Sequence, residues 1–237
     1  MKSELILKIR ETEQASIEDV LTTPGRVYSY LNPVSYLTAL DNKDLFLDMD
    51  GLFADGGILV KAIKLVYGYK ITRRSFDMTS MAPQVFSHAS ENKKSVYIVA
   101  SKQEELEKAV QNLKVQYPNL IIKEYRNGYF NSQEEIQCES KKIVEVNPDF
   151  LIVGMGALAQ EKFLRQVKKD GFQGIGFTCG GFIHQTSKNE IDYYPEWIDK
   201  ANLRFVYRMY KEKHTRKRYM QAAVLFPLFF IHERLFK

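Results

Sequence analysis

Apolar residues in the middle of the chain come in two alternating patterns. Short apolar runs rich in β-branched residues, "SVYIVAS" (95–101), "LIIKEYR" (120–126), "FLIVGMG" (150–156) and "GIGFTCGG" (174–181), predict strands. Between them apolar positions recur at helical spacing, as Leu106, Val110, Leu113 and Tyr117 do in "KQEELEKAVQNLKVQY". "SQEEIQCESKKIVEV" and "AQEKFLRQVKK" read as helices too. Regular strand–helix alternation predicts an α/β fold: a Rossmann-like, mostly parallel sheet with helices on both faces. In such sheets ligands sit beyond the carboxyl ends of the strands.

The N-terminal third follows the same scheme. "RVYSYLN" (26–32) predicts a strand, "PVSYLTALDNKDLFLDM" is mostly helical, and "GLFADGG" is a short strand breaking into the helix "ILVKAIKLVYG". Asp48 and Asp50 then lie near a helix end, and Asp55 lies where a strand hands over to a helix. With no internal repeat or low-complexity linker, the 237 residues suit one catalytic domain over 1–202 and a basic and apolar helical appendage over 203–237.

The stretch "LFLDMDGLFADGG" (45–57) admits competing chemistries. Read as hhhhDxDG, it resembles the first motif of haloacid-dehalogenase-type phosphatases, with Asp48 as nucleophile and Asp50 as general acid. That chemistry needs a later acidic pair to hold Mg²⁺, yet Ala157, Leu158, Ala159 and Gln160 follow "FLIVGMG". Asp48-Met49-Asp50 also matches the DxD that holds a metal and a nucleotide-sugar diphosphate in many glycosyltransferases. The bland alternative is two solvated acids on a helix, which leaves Asp55 as the carboxylate of interest.

Charge sharpens the picture at one end. The 34 Lys+Arg against 29 Asp+Glu give only +5, but eight lysines and arginines lie between Lys200 and Arg218 against one acid, Glu212. Beside them runs "AAVLFPLFFI" (222–231), ten apolar residues with a proline inside, far short of the ~20 that span a bilayer. Together these predict an anionic membrane surface as partner rather than nucleic acid, since apolar burial and headgroup attraction act together. Such a surface can also support self-association into a homo-oligomer. Cys138 and Cys179 have no disulfide or metal-ligand pattern, and "MKSELILKIRETEQ" turns polar before a signal-peptide core can form. The expected setting is the cytoplasm.

Two glycine turns point to a ligand. Gly154-x-Gly156 ends a buried strand and a helix follows at once, offering close backbone approach and unpaired N–H groups. It is not GxGxxG, so a nicotinamide site is not expected. Gly180 and Gly181 end the next strand, and two such turns side by side would outline one crevice. His184 can serve there as base or phosphate contact, against a purely structural role. Trp197 and Tyr207 can stack on a base or pack into the core.

These motifs in this order resemble the bacterial WecG/TagA/CpsF glycosyltransferases from about Arg26 onward. The resemblance rests on "SYLN" with Asn32, "FADGG" with Asp55, "RRSFDM", "NGYF" (127–130), "PDFLIVGMGALAQEKF" (148–163), "CGGF", "YPEWI" and "FVYRMYKE…RKRY". It implies inverting transfer from a UDP-sugar to a polyprenyl-diphosphate-linked saccharide, without cofactor or metal, at the inner membrane face, in capsule, exopolysaccharide or other surface-glycan synthesis. The implied donor is an N-acetylhexosamine or its uronic acid. Asp55 is the implied general base, and Arg73 or Arg74 the arginine near the diphosphate. Asn32, Gly128, Tyr129, Gly154, Gly156, Gln160, Gly180, Gly181 and His184 are the implied substrate and nucleotide contacts, and Arg208 belongs to the appendage. The chain departs from the family pattern at Tyr30, usually Thr, at His184, usually Asp, at Tyr193, usually Arg, and in "GALAQE", which lacks a proline. A catalytically altered nucleotide- or lipid-binding module on the same fold is the alternative.

Overall fold

The computed structural model describes residues 3–188, Ile198, Tyr207, Met209, Tyr210 and 216–235. Six strands form one all-parallel sheet: β1 (Val27–Leu31), β2 (Gly51–Ala54), β3 (Ser95–Ala100), β4 (Ile121–Arg126), β5 (Phe150–Gly154) and β6 (Ile175–Thr178), in the order β2-β1-β6-β5-β3-β4. Every predicted strand forms. All but β4 are buried along their whole length, which is why they read as continuous apolar runs rather than alternations. β4 is an edge, and its exposed Lys123 discourages further pairing.

Helices cover both faces. On one lie α1 (Glu4–Glu13), α3 (Pro33–Leu40), α4 (Lys43–Leu47), α5 (Gly57–Tyr67), α8 (Gln133–Val146) and α9 (Ala159–Lys169). On the other lie α2 (Ile17–Thr22), α6 (Met81–Glu91), α7 (Gln103–Gln116) and the short α10 (Phe182–Thr186). The sequence patterns missed α1, α2, α6 and α10. In α1, Leu5, Ile6 and Ile9 are buried, and Thr12 Oγ1 accepts from the Leu52 N–H, satisfying a donor on the edge strand β2. Gly51 is required there, because a Cβ would come within 2.7 Å of Thr12 and Tyr28.

A C-terminal helix (Arg216–Leu235) completes the described structure. It is docked rather than pendant. Phe226 and Phe230 are buried in the first core, and Phe226, Phe229 and Phe230 surround the Tyr36 ring. Tyr67 donates a 2.5 Å hydrogen bond to Glu233. None of the described helices is long and apolar enough to cross a membrane.

Candidate active site

The carboxyl ends of all six strands open onto one edge, and the candidate residues gather there in the order the sheet dictates. β1 ends at Asn32, whose Oδ1 accepts from the Val34 and Ser35 N–H groups and caps α3. Neighbouring β2 ends at Asp55, held by a 2.8 Å hydrogen bond from its N–H to the Leu31 carbonyl. Gly56 follows with φ +94° and contributes no side-chain cap to α5, which starts directly after it in the chain. Such a helix start favours negative charge.

The 70–80 connection brings Arg73 to this carboxylate and Arg74 onto the nearby Phe53 ring. Arg73 Nη2 lies 2.8 Å from Asp77, donates to Ser75 Oγ at 2.6 Å and approaches Asp55 to 3.9 Å. Arg74 instead lies over the Phe53 ring, and its Nη1 is buried without a hydrogen-bond partner among the described residues. Sequence reasoning left these two arginines undivided. Geometry separates them: Arg73 is committed to Asp77, whereas Arg74 keeps a donor that no described residue uses.

The two glycine turns are neighbours, as expected. A Cβ on Gly154 would meet Cys179 Sγ at 2.7 Å and the Gly180 carbonyl at 2.9 Å, so only glycine lets β5 and β6 end this close together. Gly156 has φ +82°, and Leu158 carries φ +70° without being glycine. That strained residue is held by its N–H donating to Glu161 Oε2 at 2.7 Å. Gln160 is turned inward: its Oε1 accepts from the Gly180 N–H and its Nε2 donates to Glu161 Oε1. Ser29 also donates to Glu161 Oε1, and Thr178 Oγ1 to Ser29 Oγ. Gln160 and Glu161 thus lock β1, β6 and the α9 turn together. Burial raises the Glu161 carboxyl above its ordinary value, partly offset by these donors.

Farther along the edge, the Gly128 N–H donates to the Ser101 carbonyl at 2.9 Å, and the Ser101 N–H to the Gly154 carbonyl at 3.1 Å. Tyr129 is exposed; Arg126, which the motifs did not single out, donates to its carbonyl and to that of Asn127. Gly181 opens α10, and His184 Nδ1 lies 2.8 Å from Glu105, which also bonds Ser101. Glu105 carried no sequence signal, because its partner lies 79 residues away. Its carboxyl is held below the usual range: burial opposes this, but the hydrogen bonds from Ser101 and His184 outweigh it. Tyr193, Trp197 and Arg208 lie outside the described residues.

Asp48 and Asp50 belong to the opposite edge. Asp48 pairs with Arg165 at 3.1 Å, while Asp50 pairs with Lys168 and accepts from the Val27 N–H at the start of β1. Among the described residues no group of three or more His, Cys, Asp or Glu side chains could hold a metal ion.

A profile of the glycosyl transferase WecG/TagA/CpsF family matches residues 7–237. The chain belongs to this family. As a WecG/TagA/CpsF member it is a glycosyltransferase, and the family's match begins inside α1, well before the motifs that first pointed to it. It is 35% identical over 211 residues to a UDP-Gal:alpha-D-GlcNAc-diphosphoundecaprenol beta-1,4-galactosyltransferase of Shigella boydii, covering 89% of this chain and 88% of that one. It is 26% identical over 189 residues to an N-acetylglucosaminyldiphosphoundecaprenol N-acetyl-beta-D-mannosaminyltransferase of Bacillus subtilis (strain 168), covering 78% and 71%. A similarly named protein of Bacillus spizizenii is 23% identical over 187 residues.

Proposed function

We propose that the protein transfers a sugar from a UDP-sugar to a GlcNAc-diphosphate-polyprenol acceptor, with inversion and without a metal, in assembly of a surface polysaccharide such as a capsule or exopolysaccharide. The observation that carries this reading is Asp55 at the junction of β2 and α5, 3.9 Å from Arg73. An acceptor hydroxyl is a weak nucleophile, and a carboxylate within hydrogen-bonding reach takes its proton as the oxygen attacks the anomeric carbon. The diphosphate leaves from the opposite face of the sugar. In this reading Arg74 and the first N–H groups of α5 meet its charge, which the unpartnered Arg74 Nη1 and the absence of a side-chain cap from Gly56 support. The beta products named for the relatives fit inversion of an α-linked UDP-sugar.

Galactose and N-acetylmannosamine are the sugars named for the relatives, and UDP-galactose, from the more similar one, is the first donor to test. The lipid-linked acceptor accounts for the C-terminal helix. Its inward face docks through Phe226 and Phe230, while Met220, Val224, Leu225, Leu228 and Ile231 face outward, next to exposed Arg216, Lys217 and Arg218. We assign this helix, with the basic segment before it, as the appendage that rests on the inner membrane surface. The test is transfer from UDP-galactose to a synthetic GlcNAc-diphosphate-polyprenol in EDTA. A β-linked disaccharide product supports the reading. Absence of product with any UDP-sugar, or product only with added Mg²⁺, overturns it.

A further inference from the structure

Two side chains of different chemistry end, beside Asp55, in buried polar atoms that no described residue satisfies: Tyr30 Oη and Arg74 Nη1. Both rest on one ring. Tyr30 is the register neighbour of Phe53, with ring centroids 5.3 Å apart, and Arg74 Cζ lies 5.4 Å from the same centroid. Phe76 packs edge-on against Tyr30 at 6.0 Å, so the phenol is fixed by aromatic contacts and not by its hydroxyl. Buried hydroxyls and guanidinium groups almost always have partners, and one left without calls for an explanation. Here two meet on the Phe53 ring, two residues before Asp55 in the chain.

Their chemistry says what would satisfy them. Burial raises the Tyr30 phenol well above its ordinary value, so it stays protonated and can donate. A guanidinium N–H seeks a phosphate or carboxylate oxygen. One ligand class carries both partners a few ångströms apart: a sugar with its glycosyl phosphate. Asp55, two residues beyond Phe53 in the chain, is partly exposed, whereas the Tyr30 ring is buried in the second core. A donor placed for attack beside Asp55 brings its ring hydroxyls to the phenol and its phosphate to the arginine.

We propose that Tyr30 is a donor-recognition residue, whose hydroxyl hydrogen-bonds a ring hydroxyl of the transferred sugar while Arg74 Nη1 bonds the phosphate attached to it. This rests on the UDP-sugar reading given above. It makes Tyr30 a determinant of which sugar is accepted.

The experiment compares wild-type protein with Tyr30→Phe, which keeps the ring contacts and removes only the oxygen. Each is assayed with the best wild-type UDP-sugar and with its singly deoxygenated analogues, alongside calorimetric titration with UDP and thermal melting. The expected result is a loss in kcat/KM of about 10- to 100-fold for Tyr30→Phe, with UDP affinity and Tm unchanged. One deoxy donor should lose a similar factor with wild-type protein and nothing further with the variant. Activity within threefold of wild type overturns the proposal, and so does an equal loss on every analogue, which would mark a structural or water-mediated role. If wild-type protein transfers no UDP-sugar at all, the functional reading falls and takes this inference with it.

Discussion

Arg73 Nη2 stands 2.8 Å from Asp77 but 3.9 Å from Asp55, so the acid that engages this arginine more closely is not the proposed base. Asp77 is further tied by Thr79, whose N–H and hydroxyl donate to its Oδ1. A cation at contact distance lowers a carboxylate's affinity for a proton. Asp77→Asn should let Arg73 close on Asp55 and lower kcat about tenfold or more, with little change in UDP affinity. Unchanged turnover in steady-state assays would remove Asp77 from this role.

Asp55→Asn keeps the shape of the side chain and removes its basicity. Transfer should fall by about 10²- to 10⁴-fold. Titration with UDP in EDTA should give the wild-type affinity, because the exchange leaves the proposed diphosphate contacts, Arg74 and the α5 backbone, unchanged. Lost binding together with an unchanged Tm would make Asp55 a ligand contact instead of a base.

Glu161 accepts from Ser29, Gln160 and the Leu158 N–H within the sheet edge. Glu161→Ala strands all three donors and should cost about 2–4 kcal/mol in urea unfolding. The pH dependence has a definite sign. Because burial raises the folded-state value above the ordinary 4.5, the folded protein holds this proton more tightly than the unfolded chain. The associated stability is fully present below 4.5 and is lost as pH rises through the folded-state value. The stability difference between wild type and Glu161→Gln should therefore shrink as pH is raised from 4.5, and a pH-independent difference would contradict the assignment.

The two faces of the C-terminal helix should separate cleanly. Leu225→Glu with Leu228→Glu changes only exposed positions, so Tm should hold while sedimentation with anionic vesicles falls. Phe226→Ala empties a buried site and should cost about 3 kcal/mol or more in stability. A double-glutamate variant that still sediments like wild type would rule out this helix as the membrane contact.

Strand and helix periods are local properties, and the chain alone determined every strand, the parallel sheet and the placing of Asp55 at a strand-to-helix junction. The order of motifs likewise pointed to the family. The short or less regular helices α1, α2, α6 and α10 were not read from the sequence, because their burial comes from the sheet they cover more than from their own pattern. Tertiary structure alone decided which charges meet. Arg73 and Arg74 are adjacent in the chain, yet one pairs with Asp77 and the other covers Phe53. Gln160 follows a glycine turn but points inward to Glu161, and His184 finds Glu105 from 79 residues away. Hydrophobic patterning records which side of an element is buried. Hydrogen-bond partnership depends on the register and packing of elements distant in sequence, and that information exists only once the sheet is assembled.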